Sequence, residues 1–275
     1  MKKTKLSPFA IVALSFFGII VLGTFLFKLP ISTKTTEALS WVDSLFLSAS
    51  AVCVTGLSTI PNLAETLSIF GKIVLAALIQ IGGLGIVTIA IYILVILGIK
   101  IGVTERYVLK EALNQKASGG MIKLVRSIVI TAITIESFGL MINFIVFIQE
   151  FPFWEALSHS AFHAISSFNN AGFDILGATS LQNYTSNILL NINTMVMIIV
   201  GGIGFIVIRD IIDKKSFKNS NKIATRGTRR TAPKTPQSLP PINKEIKTRT
   251  GEILIILLVR AGIKTISVSY THLTL

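Results

Sequence analysis

The chain has 275 residues, 51% of them hydrophobic and only 14% charged, with a mean hydropathy of +0.72. A soluble domain of this size carries about 25% charged residues, so a fully water-covered surface is excluded and a membrane protein is indicated. A single cysteine, Cys53, excludes a disulfide framework and a Cys-rich metal centre.

In chain order, four stretches are long and apolar enough to cross a hydrocarbon core of about 30 Å, which needs about 20 helical residues. They are residues 8–29, 69–99, 127–148 and 188–208. The first follows Lys2, Lys3 and Lys5, as a secretory leader would. Its apolar run is too long for a leader core, and residues 24–30 offer no small-x-small cleavage site, so it is read as a span.

The basic residues are segregated. Lys100, Arg106, Lys110, Lys116, Lys123 and Arg126 fall between the second and third spans. Twelve more lie between Arg209 and Arg249, and none lies between Arg126 and Arg209. Positive charge collects in cytoplasmic loops. The N-terminus, residues 99–126 and the tail are therefore expected inside, with 30–68 and 149–187 outside. The formal net charge of +13 is thus a signature of orientation, not of nucleic-acid binding. Residues 211–250, with Pro233, Pro236, Pro240 and Pro241, read as a basic cytoplasmic linker near anionic lipid.

Each external region holds a semi-apolar stretch too short to span. Residues 41–57 end at Thr55-Gly56 and residues 154–173 end at Ala171-Gly172. Each is followed by an apolar helix with a glycine cluster, Gly82-Gly83-Leu84-Gly85 and Gly201-Gly202-Ile203-Gly204. Gly56 and Gly172 are 116 residues apart and Gly82 and Gly201 are 119 apart. Matched landmarks in matched order describe an internal repeat. The repeats are 1–98 and 127–210, each a span, a dipping helix, a glycine turn and a second span. Non-helical backbone at membrane depth is tolerated only where protein or a wet cavity surrounds it. A return segment there turns carbonyls toward a cavity, and carbonyl rings replace the hydration shell of a cation.

The motifs Val52-Cys53-Val54-Thr55-Gly56-Leu57-Ser58, Gln80-Ile81-Gly82-Gly83-Leu84-Gly85, Ser167-Phe168-Asn169-Asn170-Ala171-Gly172-Phe173-Asp174 and Gly201-Gly202-Ile203-Gly204-Phe205 closely resemble the first two repeats of the Trk/Ktr/HKT potassium transporters. One span before the first loop makes the resemblance closer to the Ktr membrane subunit. The resemblance implies an all-α integral membrane fold of span–pore-loop–span units, two here of an expected four. It implies filter strands at Cys53, Val54, Thr55 and Gly56, and at Asn169, Asn170, Ala171 and Gly172, holding potassium by backbone carbonyls. It further implies a homodimer on a cytosolic nucleotide-binding regulatory ring, a cell (inner) membrane location with the N-terminus cytoplasmic, no tightly bound cofactor, and sodium as a candidate coupling ion. A complete member has four repeats. Residues 251–275 therefore read as the start of a third repeat or as a non-native tail, with the native frame expected to be lost after about residue 250.

Two other readings compete. Glu155, His159 and His163 share one face of the second dipping helix, and two imidazoles with a carboxylate can bind zinc, so a zinc-dependent membrane enzyme is one alternative. A non-transporting membrane fragment is the other. Glu136, inside the third span, is expected to pair structurally with Ser137 or Asn143, and Gln80 and Asn191 to bond between helices. The external acids Glu37, Asp43, Glu65, Glu150, Glu155 and Asp174 outnumber the single Lys34, an arrangement that concentrates cations at the mouth. Cys53 either packs behind the first filter strand or faces the pore.

Overall fold

In the computed structural model the described residues are 8–35, 37–99, 101, 102, 107–109 and 121–204. The linker and tail expected over 211–275 lie outside them, as do most of the residues between the second and third spans. Among the described residues the fold is helical, with a single isolated bridge between Thr33 and Leu67 and no β-strand.

Helix α1 spans Pro8–Lys28. Its 21 residues extend about 30 Å, enough to cross a bilayer. Proline suits the first helical turn because its missing N–H would be unpaired there anyway. At the other end Lys28 donates to the Leu39 carbonyl at 2.6 Å and lies 5.5 Å over the Trp41 ring. Gly23 lets α1 approach its neighbours, since a Cβ there would collide with Ser48 and Leu78. Ser48 Oγ crosses the same gap to donate to the Ile20 carbonyl at 2.8 Å.

Helix α2, Trp41–Val52, has 12 residues, about 18 Å of helix and too short to span. Ser40 caps it by accepting from the Asp43 N–H at 3.0 Å. The chain then doubles back. Thr59 donates to Asp43 Oδ1 at 2.6 Å, so the returning segment ends beside the first turn of the helix it left. A short helix α3, Leu63–Thr66, capped by Asn62, leads to Ser68, which caps α4, Ile69–Leu84.

The sequence predicts one continuous span over 69–99. The structure breaks it. Gly85 stands at φ 85° between α4 and α5, Ile86–Ile96, and the two helices meet at 101°. A positive φ is open to glycine at little cost and ends the helix there.

The second half repeats the plan. Helix α6, Met121–Phe147, is long and apolar enough to cross and begins six residues before the predicted span. Helix α7, Phe153–Phe168, dips with 16 residues. The chain returns through a 3₁₀ turn, Gln182–Tyr184, whose Tyr184 hydroxyl donates to Glu150 Oε2 just ahead of α7. Helix α8, Ile188–Ile203, follows. It packs on α6 where Gly139 faces Met197, and Asn193 donates to the Gly139 carbonyl at 3.0 Å and to Asn143 Oδ1 at 2.8 Å.

The main core gathers Phe27, Leu47, Leu67, Leu75 and Ile79 from the first half. It also contains Phe162, Ala171, Phe173 and Ile175 from the second dipping helix and its return segment. Ala171, Phe173 and Ile175 are buried while Gly172 between them is exposed. That two-residue alternation marks an extended segment with one face on the core. The second loop is thereby seated on the first half.

Candidate functional site

The candidate site is the pair of return segments. Each dipping helix ends in the same hydrogen-bonded turn. In the first, Val54 N–H donates to the Ala51 carbonyl at 3.2 Å and Thr55 N–H to Ser50 at 2.9 Å. In the second, Asn170 N–H donates to Ser167 at 3.1 Å and Ala171 N–H to Ser166 at 2.8 Å. These crossed bonds form a Schellman closure, whose pivot residue takes the left-handed conformation. The pivots are Val54 at φ 56° and Asn170 at φ 57°, and the following glycines, Gly56 and Gly172, both stand at φ 77°. The 116-residue offset read from the glycines therefore holds bond by bond and angle by angle.

Asparagine tolerates a left-handed conformation, but a β-branched residue there is an outlier. Val54 stores strain of about 1–2 kcal/mol that the surrounding bonds must hold. Ser50 supplies several of them. Its hydroxyl lies 2.7 Å from Thr55 Oγ1 and accepts from Leu57 N–H at 3.0 Å. Ser166, 116 residues on, donates to the Phe173 carbonyl at 2.5 Å.

The consequence is a segregation of backbone polarity. The N–H groups of Cys53, Val54, Thr55, Asn169, Asn170 and Ala171 are consumed by helix carbonyls. No described residue donates to the carbonyls of Cys53, Val54, Thr55, Gly56, Asn169, Asn170, Ala171 or Gly172. Eight carbonyls in two matched runs, on residues that range from buried to exposed, thus have their negative dipole ends free of protein donors, the kind of group that can replace a cation's hydration shell.

The two runs touch. A Cβ on Gly56 would collide with the Ala171 carbonyl, and one on Gly172 would come within 3.9 Å of Gly56 Cα. The structure thus brings Gly56, Ala171 and Gly172 together. The glycine clusters act as notches for the helix ends. A Cβ on Gly82 would collide with the Val52 carbonyl, and one on Gly201 with that of Phe168. Cys53 is exposed. Asn169, by contrast, is buried against Gly83.

Three side-chain expectations are corrected. Glu136 does not turn to Ser137 or Asn143; its carboxylate meets Gln80 and Asn169. Asn191 donates to the carbonyls of Tyr184 and Thr185, stapling the 3₁₀ turn instead of a helix. Glu155 and His159 approach to 3.6 Å, but His163 turns to Thr194 Oγ1 at 2.9 Å and packs edge-on against Phe147. The three do not converge on one point. Sequence reasoning missed Asn169 as a side-chain participant; its amide was hidden behind its assignment as a filter carbonyl.

At the start of α2 Asp43 accepts from Ser40 and Thr59, and those bonds hold its carboxyl below the usual carboxylate range. Burial and the adjacent Glu150 push Tyr184 well above the usual phenol range.

Helices long and apolar enough to cross a bilayer, with shorter apolar helices and paired return segments between them, describe an α-helical membrane protein. The family model described as "Cation transport protein", TrkH, matches residues 8–230, and the chain belongs to that family of transporters. The Ktr system potassium uptake protein B of Bacillus subtilis is 42% identical over 218 residues, which cover 79% of this chain and 48% of that protein. The potassium/sodium uptake protein NtpJ of Enterococcus hirae is 43% identical over 210 residues, 76% of this chain and 46% of that protein. The Ktr system potassium uptake protein D of Bacillus subtilis is 34% identical over 209 residues, 76% of this chain and 46% of that protein. The chain spans about half the length of the curated relatives it matches.

Proposed function

We propose that this chain supplies two of the four pore-lining units of a potassium uptake transporter in the cell membrane. Its filter would be the backbone carbonyls of Cys53 to Gly56 and Asn169 to Gly172. The observation that carries this reading is the pair of matched carbonyl runs that accept no hydrogen bond from any described residue. The names of the three similar proteins given above, uptake proteins for potassium or for potassium and sodium, favour potassium as the ion, with sodium as a candidate coupling ion.

The unequal exposure of equivalent residues supports further units completing the pore. Phe173 is 3% exposed in the core of the first half, whereas Leu57, its counterpart 116 residues earlier, is 63% exposed. The first unit's seat is filled by the second, and the first unit's own anchor awaits one. A head-to-tail contact of this kind can be repeated, and closes a ring where its rotation allows. The basic segments favour a cytoplasmic N-terminus. The word "system" in the relatives' names favours a complex, which we take to be a homodimer on a nucleotide-binding cytosolic ring.

The test is Gly56→Ser in the complete reading frame that carries this sequence, expressed in cells lacking their own potassium uptake. Potassium affinity and potassium-over-sodium preference should fall while the protein still reaches the membrane. An active variant with unchanged preference refutes the filter assignment.

A further inference from the structure

One buried carboxylate is left unused by the carbonyl runs. Glu136 lies within α6 and is only 9% exposed. Gln80 on α4 donates from Nε2 to both of its oxygens, at 2.8 and 3.0 Å. Asn169, the first residue of the second carbonyl run, donates from Nδ2 to Gln80 Oε1 at 2.9 Å and to Glu136 Oε1 at 3.4 Å. The same Nδ2 faces the Ile165 carbonyl at 2.9 Å.

These bonds have a direction. A backbone carbonyl can only accept, so Ile165 fixes which end of the Asn169 amide is nitrogen. That nitrogen fixes the oxygen of Gln80, and the remaining Gln80 nitrogen must then face Glu136. The contacts that reach Glu136, from Gln80 Nε2 and Asn169 Nδ2, are all donated to it, the pattern an acceptor-only carboxylate requires. The Asn169 amide is also wedged against α4, because a Cβ on Gly83 would collide with it. Three elements, α4, α6 and the end of α7, are locked at the residue where the carbonyl run begins.

Among the described residues no Lys or Arg pairs with this carboxylate. The one close acid–base contact among them is His159 with Glu155, at 3.6 Å. An ionisable group in a membrane is costly and is kept where it acts on a pathway.

We propose that Glu136 is a positioning and selectivity-setting residue. Through Gln80 it holds the Asn169 amide, and so the geometry of the second carbonyl run. Its charge sits behind that run, with the permeating cation as its counter-charge. The inference rests on the filter reading above. Glue between helices, its plain alternative, would alter stability without altering ion preference.

The experiment compares Glu136→Gln, Gln80→Met and Gly56→Ser in the complete reading frame, at matched abundance in the membrane. The readouts are uptake kinetics with potassium and competition by sodium. Glu136→Gln keeps the shape and removes the charge. It should raise the KM for potassium about tenfold, the scale of one hydrogen bond to a charged group, and narrow the preference over sodium. The rate at saturating potassium should fall less than the affinity. Gln80→Met keeps the carboxylate but removes the link through Gln80, leaving only the long 3.4 Å contact to Asn169, and should shift KM in the same direction. It carries the test if Glu136→Gln does not reach the membrane. If Gly56→Ser shifts preference while both other variants leave KM and preference unchanged, Glu136 is only glue and the inference falls alone. If none of the three shifts them, the filter reading falls and takes the inference with it.

Discussion

Replacing Gly56 or Gly172 by alanine separates two costs that the carbonyl runs combine. Both glycines stand at φ 77°, a conformation that costs an L residue about 1–2 kcal/mol. For Gly172 that is the whole cost, because an added Cβ meets nothing nearer than Gly56 Cα at 3.9 Å. For Gly56 the Cβ also collides with the Ala171 carbonyl, and relieving an overpacked contact costs about 1–3 kcal/mol more. Gly56→Ala should therefore destabilise by about 2–5 kcal/mol and Gly172→Ala by about 1–2 kcal/mol. Gly18→Ala is the control. It lies inside α1 with nothing within 4 Å of the new Cβ, so it should be neutral or stabilising. Apparent melting temperatures of the complete protein in detergent should rank Gly18→Ala, then Gly172→Ala, then Gly56→Ala, from most to least stable. If Gly172→Ala is as damaging as Gly56→Ala, the two runs do not meet as described, and the argument that they form one site is wrong.

Exposed Cys53 should react with a small thiosulfonate or silver added from outside. Uptake should then be blocked in the parent protein and spared in Cys53→Ser; block that persists in Cys53→Ser removes the thiol from the pathway. Asp43 offers a pH test, since its carboxyl is held below the usual range by Ser40 and Thr59. A depressed native pKa contributes stability above the ordinary carboxylate pKa and loses it as pH falls through the native value. Asp43→Asn should thus lower the melting temperature at neutral pH, and the gap to the parent should shrink in acid. A gap that does not change with pH would show that the charged form of Asp43 contributes nothing.

Much of the fold was legible because membranes leave few options. Helices α1 and α6 announce themselves by length, and the stretches 41–57 and 154–173 were too short to cross and too apolar to float. The repeat was legible because glycines sit where backbone must come close or turn left-handed. Gly82 and Gly201 are notches for carbonyls, and Gly56 and Gly172 are turns, so no other residue preserves either function cheaply. What stayed hidden depends on partners remote in sequence. Apolar periodicity runs straight through Gly85, and nothing local says that a glycine in an apolar run is a 101° break and not a packing notch. Glu136 was visible as an oddity, but its partners Gln80 and Asn169 lie 56 and 33 residues away. Ser137 and Asn143, nearer in sequence, were the wrong neighbours. The same limit explains the unlike fates of Leu57 and Phe173. Their backbones are equivalent and both are large and apolar, so sequence treats them alike. Only the head-to-tail seating of one unit on the other distinguishes the buried anchor from the exposed one. That seating puts Asn169 of the second unit against Gln80 of the first. A polar lock between units therefore falls at the start of a carbonyl run, where a small shift in one helix would reach those carbonyls.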